Sequence, residues 1–333
     1  MKAVLMTAPG GLDVLKLVPV ERPARPGPQQ LLIRVRAAGV NPLDTKIRKQ
    51  HFFYPDNLPA ILGVEGAGVV EQVGASVKRF RVGDEVYFFG NGLGREPGAY
   101  AEYTLVSEEH AARKPANLSM FEAAAIPVAL ITAWEALVDR AKLLSGEKVL
   151  IHAGAGGVGH LALQLARVRG ANVATTVSGK QKAEFVKGLG AELAIDYREQ
   201  DFVQEVLRWT DGHGADVILD TVGGATFCKS LGAARMYGRI ATLLSTACEL
   251  ADINSARLRN LDVCYVQMTA PSYLGDVDAR RAQTRILEAG ASLFERGDLK
   301  ILVSKVLPLE DASTAHRIVE EGHTSGKVVL QID

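Results

Sequence analysis

The stretch VLIHAGAGGVGHLALQLA at residues 149–166 decides the fold of this chain. An apolar run comes first, Gly154, Gly156 and Gly159 then spell G-x-G-x-x-G, and an apolar helical pattern follows at once. In such a strand–turn–helix frame the first glycine permits a tight turn, the second lets backbone N–H groups approach a pyrophosphate, and the third lets the helix pack on the strand. The helix N-terminus then faces an anion. The stretch predicts a dinucleotide-binding turn that includes Gly157 and Val158, with a glycine-rich packing turn as the alternative.

Short apolar runs alternate with helical patterns on the C-terminal side of this turn. Strands are predicted at 149–153, 172–177, 193–197, 215–222 and 239–244, and helices at 157–168, 180–189, 200–209 and after Gly224. One more buried strand is expected near 263–268. Apolar strands separated by helices of about 10 to 15 residues are typical of a parallel sheet covered on both faces. The predicted fold class is therefore α/β, with a doubly wound parallel sheet.

The first third of the chain has a different pattern. Short β-rich runs at 31–35, 68–73, 85–89 and 100–106 are punctuated by Pro and Gly, which favours a small irregular β-barrel. Ser119 and Glu122 then form a predicted capping box that opens a helix. Because 333 residues exceed the usual size of one hydrophobic core, we expect two domains. A helix at 279–297 and strands at 301–307 and 327–332 are expected to rejoin the first lobe.

Composition excludes several classes of partner. The 38 basic and 38 acidic residues balance, so the broad attraction to nucleic acid or an anionic membrane is missing. No signal peptide and no apolar run of about 18 residues is recognised. Cys228, Cys248 and Cys264 are scattered, and their odd number argues against a disulfide framework or a sulfur-ligated metal. These features predict a soluble, cytoplasmic protein with a small-molecule partner.

The end of the strand after the glycine turn favours one dinucleotide over the other. An NAD site places an Asp or Glu roughly 20 residues beyond the glycines, where it accepts the ribose hydroxyls. The stretch from 160 to 183 contains no acid and instead carries Ser178, Lys180 and Lys182. A hydroxyl and an ammonium can bind a 2′-phosphate. NADPH is predicted, and the alternative is that these lysines are ordinary solvated residues.

Several motifs in order show a resemblance that covers nearly the whole length. They are AAGVNPLDTKIR at 37–48, GVEGAGVVEQVG at 63–74, VGDEV at 82–86, GAYAEY at 98–103, LITAWEAL at 130–137, the glycine turn, DVILDTVGG at 216–224 and SGKVVL at 325–330. With these motifs the chain resembles the zinc-independent, zeta-crystallin-like quinone oxidoreductase branch of the medium-chain dehydrogenase/reductase superfamily. The resemblance implies a GroES-like β-barrel catalytic domain built from 1–123 and 267–333, and a Rossmann NADPH-binding domain at 124–266.

The resemblance also implies residues that touch the cofactor. They are Asn41, Thr132, Ser178, Lys182, Tyr197, Leu243, Leu244, Ser245 and Lys327, beside the glycine turn itself. Asn41 and Lys327 are expected near the nicotinamide, and Ser178, Lys182 and Tyr197 around the adenosine phosphate. A packing or solvated role remains the alternative for Thr132, Tyr197 and Lys327.

Zinc-dependent members of the superfamily carry a cysteine after the GVN-like segment and a histidine before the glutamate of the next motif. This chain has Pro42 and Val64 at those positions. Seven scattered histidines, at 51, 110, 152, 160, 213, 316 and 323, offer no i, i+4 pair. We expect no catalytic metal, and we expect these histidines to be surface or hydrogen-bonded core residues, with His51 the least certain.

Without a Lewis acid, electron-poor acceptors are the favoured substrates. We expect hydride transfer from NADPH to a quinone or an α,β-unsaturated carbonyl, with Asn41 and either Lys46 or Tyr54 hydrogen-bonding the developing oxyanion. An enoyl-thioester reductase and a non-catalytic, crystallin-like or RNA-binding NADPH protein are the alternatives. From the resemblance and an unsheltered apolar strand at 262–268, a homodimer is expected.

Overall fold

The computed structural model describes residues 1–50, 57–94, 96–244 and 246–333, which form two compact units. Unit 1 comprises Met1–Val128, Thr269–Gly297 and Ile301–Asp333, and unit 2 comprises Ala129–Met268 and Asp298–Lys300. Both ends of the chain thus belong to unit 1, and the glycine turn belongs to unit 2.

Unit 1 is built mainly from antiparallel strands. Before residue 129 its elements are β1 (Lys2–Met6), β2 (Leu15–Pro19), β3 (Gln30–Val40), α1 (Pro42–Gln50), β4 (Ala60–Ile61), β5 (Glu65–Val73), β6 (Glu85–Phe89), β7 (Tyr103–Ser107), β8 (Ala111–Arg113) and α2 (Met120–Ala124). The first helix to reach unit 2 is α3 (Pro127–Trp134). Short 3-10 turns occur at Leu12–Val14, Glu108–His110 and Leu309–Asp311.

Unit 2 alternates strands and helices. Its elements are a π-helical turn at Glu135–Arg140, then β9 (Lys148–Ile151), α4 (Gly159–Val168), β10 (Asn172–Val177), α5 (Lys180–Gly188), β11 (Leu193–Asp196), α6 (Phe202–Trp209), β12 (Ala215–Asp220), α7 (Gly224–Ser230), β13 (Ala234–Thr242), α8 (Leu250–Leu258) and β14 (Asp262–Tyr265). The chain then returns to unit 1 with α9 (Ala270–Leu274), α10 (Val277–Glu295), β15 (Val303–Pro308), α11 (Ala312–Glu321) and β16 (Lys327–Gln331).

The sheet of unit 2 has the order β11-β10-β9-β12-β13-β14, and all its neighbours pair in parallel. Counted within the unit, this is the order 3-2-1-4-5-6 of dinucleotide-binding folds, in which the direction of winding reverses between the first and fourth strands. Apolar residues of the strands and of α6 and α7 form one buried cluster on the sheet, including Leu150, Ile218, Val206 and Phe227. The predicted doubly wound parallel sheet is confirmed.

The main sheet of unit 1 runs β15-β16-β3-β5-β6-β8, with β7 also paired to β3. β3 is the longest strand and pairs with β16 and β5. Its last four residues, at 37–40, are all buried, so both faces of the strand are covered at its C-terminal end. A smaller sheet, β2-β1-β4, completes the β-structure. The predicted capping box is present: Ser119 Oγ accepts from Glu122 N, and Glu122 accepts from Ser119 N at 2.8 Å. It opens α2, as expected.

Two expectations about unit 2 are wrong. The strand near 263–268 was expected to be buried, but Val263 and Tyr265 on β14 are exposed. Its expected unsheltered position is confirmed, because β14 is the last strand of the sheet and follows β13. A disulfide was argued against, but Cys228 and Cys248 are bonded, with Cα atoms 5.5 Å apart. The parallel crossover from α7 through β13 brings these two distant positions together. Within the described ranges no helix is long and apolar enough to cross a bilayer.

Candidate active site

The glycine turn lies between β9 and α4, and a side chain at Gly154 or at Gly159 would collide with a different neighbour. A Cβ at Gly154 would collide with the hydroxyl of Thr175 on β10, and one at Gly159 would collide with the carbonyl oxygen of Ala153. Left-handed backbone occurs at Ala153 (φ 52°) rather than at Gly154. The tight turn is therefore made by Ala153, while Gly154 is needed for packing against the neighbouring strand. The expected role of the first glycine is corrected accordingly.

The turn leaves backbone donors open at the start of α4. Gly154 N donates to Thr176 O at 3.0 Å, and Gly156 N donates to Ala153 O at 2.9 Å. In the described part of the chain, the N–H groups of Gly157, Val158 and Gly159 have no acceptor. Unpaired N–H groups at a helix N-terminus, approached over glycines without side chains, are the donor set that binds pyrophosphate. The turn therefore fits a dinucleotide.

The predicted adenosine-phosphate residues meet at the ends of two neighbouring strands. Ser178 follows β10 and Tyr197 follows β11, and Tyr197 N donates to Val177 O at 3.2 Å, so the two strand ends are adjacent. Lys182 lies in the first turn of α5, two residues after the exposed Lys180. The structure brings Ser178 and Tyr197 to one edge of the sheet, with Lys182 close along the chain.

One acid at this edge, Asp196, lies beyond the acid-free stretch 160–183 and was not predicted. The carboxylate of Asp196, at the end of β11, accepts from Gly179 N at 2.8 Å and from Arg198 N at 3.1 Å. These bonds to backbone N–H groups engage both of its oxygens. Asp196 therefore orders the loop around Ser178.

The other predicted residues of unit 2 lie on different elements. Thr132 lies in α3 and is buried. Leu243 and Leu244 follow β13, where Leu243 N donates to Asp220 O at 3.1 Å and Leu244 N donates to the hydroxyl of Thr242 at 3.3 Å. Ser245 lies outside the described residues. The cofactor contacts of these residues remain predictions.

The histidine beside the glycine turn has a structural role. His152 is buried, with Nδ1 3.1 Å from Thr176 Oγ1 and Nε2 2.9 Å from Ser230 Oγ. Burial lowers the pKa of His152 to about 4, so the ring is neutral near pH 7. His152 matches the expected hydrogen-bonded core residue, whereas His51 lies outside the described residues.

In unit 1, the segment GVNPLD builds a helix start and a buried carboxyl together. α1 begins at Pro42, a residue favoured at the first helical position because its missing N–H has no intrahelical partner there. The carboxylate of Asp44 accepts from Asn41 N at 2.9 Å and from Val64 N at 3.1 Å. Asp44 thus holds Asn41 in place from within the first helical turn, as in one half of a capping box.

Asn41 belongs to a buried cluster with Glu65 and Lys327. The Nδ2 atom of Asn41 donates to Glu65 Oε1 at 2.8 Å, and Lys327 Nζ donates to the same oxygen at 2.7 Å and to Asn41 Oδ1. The second oxygen of Glu65 accepts from Val128 N at 2.7 Å. The side chain of Glu65 is fully buried and that of Lys327 is 5 % exposed. The structure therefore joins two predicted residues, Asn41 and Lys327, through a third that was not predicted.

Space for this cluster comes from a glycine. A Cβ at Gly39 on β3 would collide with the carboxylate of Glu65 and with the carbonyl oxygen of Ala124. Glu65 and Asp44 were both visible in the quoted motifs, but their burial could not be read from the letters alone. Burial raises the pKa of Asp44 to about 7, against the lowering effect of the Asn41 N–H, while the nearby charge of Glu65 raises it further.

The remaining predicted catalytic residues are not part of the cluster. Lys46 is exposed on α1, and in the described part of the chain it makes neither a hydrogen bond nor an ion pair. Tyr54 lies outside the described residues. Arg48, on the buried side of α1, donates to Glu320 Oε1 at 2.5 Å and to Gly10 O at 3.1 Å. Its guanidinium also lies 3.4 Å from His316 Nδ1. These contacts fix α1, and with it Asn41, against α11.

One group of possible metal donors occurs within the described ranges. Cys228, Cys248 and Asp252 bring their ligand atoms within 4.8 Å of one another. Since the two sulfurs are joined as a disulfide, they offer no thiolate in this state. The expectation of no catalytic metal stays a prediction.

Comparison with known proteins gives consistent matches along the chain. Residues 27–116 match the alcohol dehydrogenase GroES-like domain, and residues 189–330 match the zinc-binding dehydrogenase family. A quinone oxidoreductase of Pseudomonas aeruginosa is 34 % identical over 329 residues, which cover 99 % of each chain.

Solved structures share the whole fold. A structure described as an NAD-dependent alcohol dehydrogenase superposes with a TM-score of 0.91 and 35 % identity, covering 100 % of both chains. Escherichia coli quinone oxidoreductase complexed with NADPH gives 0.88 and 31 %, also over 100 % of both chains. The CurK enoyl reductase gives 0.87 and 28 %, over 100 % of this chain and 99 % of that one. The motifs, the two units and a 34 % identical relative of full length agree, and the chain belongs to the quinone oxidoreductase branch of the medium-chain dehydrogenase/reductase superfamily.

Proposed function

We propose that this protein is a reductase that transfers hydride from NADPH to a quinone or an α,β-unsaturated carbonyl without zinc. The observation that carries the proposal is the glycine turn, whose unpaired backbone N–H groups can bind the pyrophosphate of a dinucleotide. The chain is also 34 % identical to a quinone oxidoreductase over its full length. When bound, NADPH supplies a hydride, which with one proton from solvent converts a quinone to a hydroquinone and leaves NADP⁺. Residues 124–266 are proposed to hold the cofactor, and 1–123 with 267–333 to form the catalytic domain.

The preference for NADPH rests on the strand end after the glycine turn. Ser178 supplies a hydroxyl and Lys182 an ammonium, while the carboxylate of Asp196 is occupied by backbone N–H groups. A 2′-phosphate therefore meets donors rather than a competing carboxylate. The chain also resembles a protein described as NAD-dependent, so the cofactor must be tested directly.

The buried cluster of unit 1 prepares Asn41 and Lys327 for the cofactor's nicotinamide end. Asn41 donates one amide N–H to Glu65 and accepts from Lys327 through Oδ1, and within the described residues its second amide N–H is left for a ligand. Lys327 Nζ forms an ion pair with Glu65 at this buried position. Asn41, Lys46 and Tyr54 remain the proposed hydrogen-bond donors to the developing oxyanion.

Steady-state oxidation of NADPH and of NADH, with a panel of quinones, enones and an enoyl thioester, tests the activity. We expect quinones or enones to be reduced with NADPH as the preferred donor. Turnover with the thioester alone would instead support the alternative enoyl reductase, to which the CurK resemblance points. NADPH binding without turnover of any acceptor would support a non-catalytic protein and overturn the proposal.

A matched pair of variants on α5 tests the phosphate contact. Lys182→Ala should weaken NADPH binding roughly tenfold and leave NADH binding unchanged, because a charge-assisted bond to phosphate is worth about 1.5–3 kcal/mol. Lys187→Ala lies in the last turn of the same helix and should change neither. Equal effects of the two variants on NADPH binding would contradict the assignment.

We further propose a homodimer formed along β14. This edge strand leaves one side unpaired and exposes Tyr265 (62 %) and Val263, and Leu258 of the preceding helix is 78 % exposed. An unpaired apolar edge is stabilised when a second copy continues the sheet. Light scattering should give twice the chain mass, and Val263→Glu should reduce it, while Val168→Glu at a similarly exposed position should not. A monomeric wild-type protein would refute the dimer.

Balanced charge still argues against nucleic acid, so no nucleic-acid partner is proposed. A cytoplasmic location stays a proposal, and the Cys228–Cys248 disulfide counts against the argument from scattered cysteines on which it was based.

A further inference from the structure

The disulfide in unit 2 joins two segments of different character. Cys228 lies in α7 and is 9 % exposed, whereas Cys248 lies two residues before α8 and is half-buried. The bond spans 20 residues of sequence, and both cysteines pack on the apolar cluster of the sheet. One sulfur is therefore covered, and the other lies where a small reagent can approach it.

The α7 end of the bond is held firmly. Ser230 Oγ donates to Thr226 O at 2.6 Å and contacts His152 Nε2. The N–H groups of Val222 and Gly223 both donate to Asp220 Oδ1, at 3.0 and 2.9 Å. These bonds fix α7 against the strand ends beside the glycine turn.

The other end is held by little besides the disulfide. Within the described ranges, the main chain of 246–248 makes no hydrogen bond to another main-chain group. The hydroxyl of Thr246 lies 3.2 Å from that of Tyr265, which is itself exposed. Directly upstream are Leu243 and Leu244, two of the residues proposed to line the cofactor site. The covalent bond is thus the main restraint on residues 246–248.

We propose that Cys228 and Cys248 form a reversible thiol–disulfide site that exchanges with low-molecular-weight disulfides. We propose further that its oxidised form holds residues 246–248, which follow Leu243 and Leu244 in the chain, ready for NADPH binding. The inference rests on the proposed function, because it takes Leu243 and Leu244 to contact the cofactor. A segment ordered before binding loses less conformational entropy on binding, so the disulfide form has the higher affinity. A reversible bond of this kind is also compatible with a reducing compartment.

The exchange balances with oxidised glutathione as the oxidant. The Cys248 thiolate attacks one sulfur of glutathione disulfide, which forms a mixed disulfide and releases one glutathione thiolate. The Cys228 thiolate then attacks the Cys248 sulfur, which closes the protein disulfide and releases the second glutathione. Two electrons pass from the protein thiols to glutathione, and the two protons lost by the protein end on the two glutathione thiols.

Redox titration of the full-length protein tests the site. The protein is equilibrated in glutathione buffers of defined ratio with EDTA present, free thiols are alkylated, and the Cys228–Cys248 peptide is quantified by mass spectrometry. NADPH affinity is measured on the same samples by cofactor fluorescence. We expect full reduction to weaken NADPH binding roughly fivefold or more, within the usual range of coupling between two sites.

Variants separate the disulfide from other effects of reduction. Cys248→Ser and Cys228→Ala should each bind NADPH as weakly as reduced wild type, and their NADPH affinity should not change with the glutathione ratio. If the substitution at buried Cys228 impairs folding, Cys248→Ser still tests the inference. Cys264→Ser removes the third thiol, on β14, and should respond like wild type. The inference is overturned if the bridged peptide never forms in these buffers, or if it forms while NADPH affinity stays constant. If both redox forms bind NADPH but reduce no acceptor, the proposed function fails and the redox site stands.

Discussion

Glu65→Gln tests whether the buried cluster of unit 1 is an ion pair on which the unit depends. The substitution keeps the shape of the side chain but removes the charge opposite Lys327, which lies 2.7 Å away with both side chains buried. Neutralising one member of a buried pair leaves the other charge uncompensated, at a cost of about 3–5 kcal/mol. Release of the repulsion between Glu65 and Asp44 offsets part of this cost, so the lower end of the range is expected.

Glu71→Gln is the matched control. Glu71 lies on the same strand and pairs with Arg22 at the same distance, 2.7 Å, but both side chains are more than a third exposed. Exposed pairs contribute about 0–1 kcal/mol. The two glutamates share the strand and the distance to the cation, and they differ in burial and in the two further hydrogen bonds that Glu65 accepts.

The stability of both variants is measured by urea unfolding, with hydrogen exchange of peptides from β3 and β5 as the signal for unit 1. Trp134 and Trp209 both belong to unit 2, so tryptophan fluorescence follows that unit as an internal reference. The double variant Glu65→Gln with Lys327→Met removes both charges and should recover much of the lost stability. Equal destabilisation by Glu65→Gln and Glu71→Gln, or no recovery in the double variant, would refute the buried-pair reasoning.

Three further predictions concern stability. Burial raises the pKa of Asp44 in the folded protein to about 7 from 3.8, so the native state holds an extra proton between these two values. The free energy of unfolding should therefore fall as pH rises from about 4 to 7. Asp44→Asn should flatten this slope in urea titrations, and parallel pH profiles of unfolding free energy for variant and wild type would contradict the reasoning. Gly154→Ala should cost several kcal/mol by collision with Thr175 and weaken NADPH binding, whereas Gly188→Ala, which meets nothing within 4 Å, should be neutral or slightly stabilising by thermal unfolding. Ser119→Ala should lose about 1 kcal/mol by removing the capping box, and an unchanged melting temperature would argue against that cap.

Fold prediction succeeded where local pattern and tertiary structure agree. The strands of unit 2 are short apolar runs buried by helices on both faces, so their periodicity alone locates them, as at 172–177. It failed at β14 only in the burial, because an apolar run suggests a covered strand, whereas the expected edge position is confirmed. The disulfide was not predicted either. Cys228 and Cys248 are 20 residues apart in sequence, and their Cα atoms come within 5.5 Å only once α7 and β13 have packed.

Site prediction was limited in a different way. Asn41 and Lys327, 286 residues apart, were predicted from motif resemblance, and they do meet. Glu65, which joins them, stands in an equally visible motif but carried no predicted role, because a glutamate on a strand is ordinarily exposed. The structure shows that its side chain is fully buried, where it accepts from Asn41 and Lys327.

The segment GVNPLD therefore carries structural constraints that are easily mistaken for catalytic ones. Gly39 makes room for the Glu65 carboxylate, and Asp44 holds the main chain of Asn41 at the start of α1. Loss of activity in a Gly39 or Asp44 variant would follow from displacement of Asn41 even if neither residue touched a substrate. Asn41→Ala is the discriminating change, since the backbone bond to Asp44 survives while the amide is lost. A reduced kcat with unchanged stability would assign the amide to the reaction, whereas parallel losses of both would leave Asn41 a structural residue.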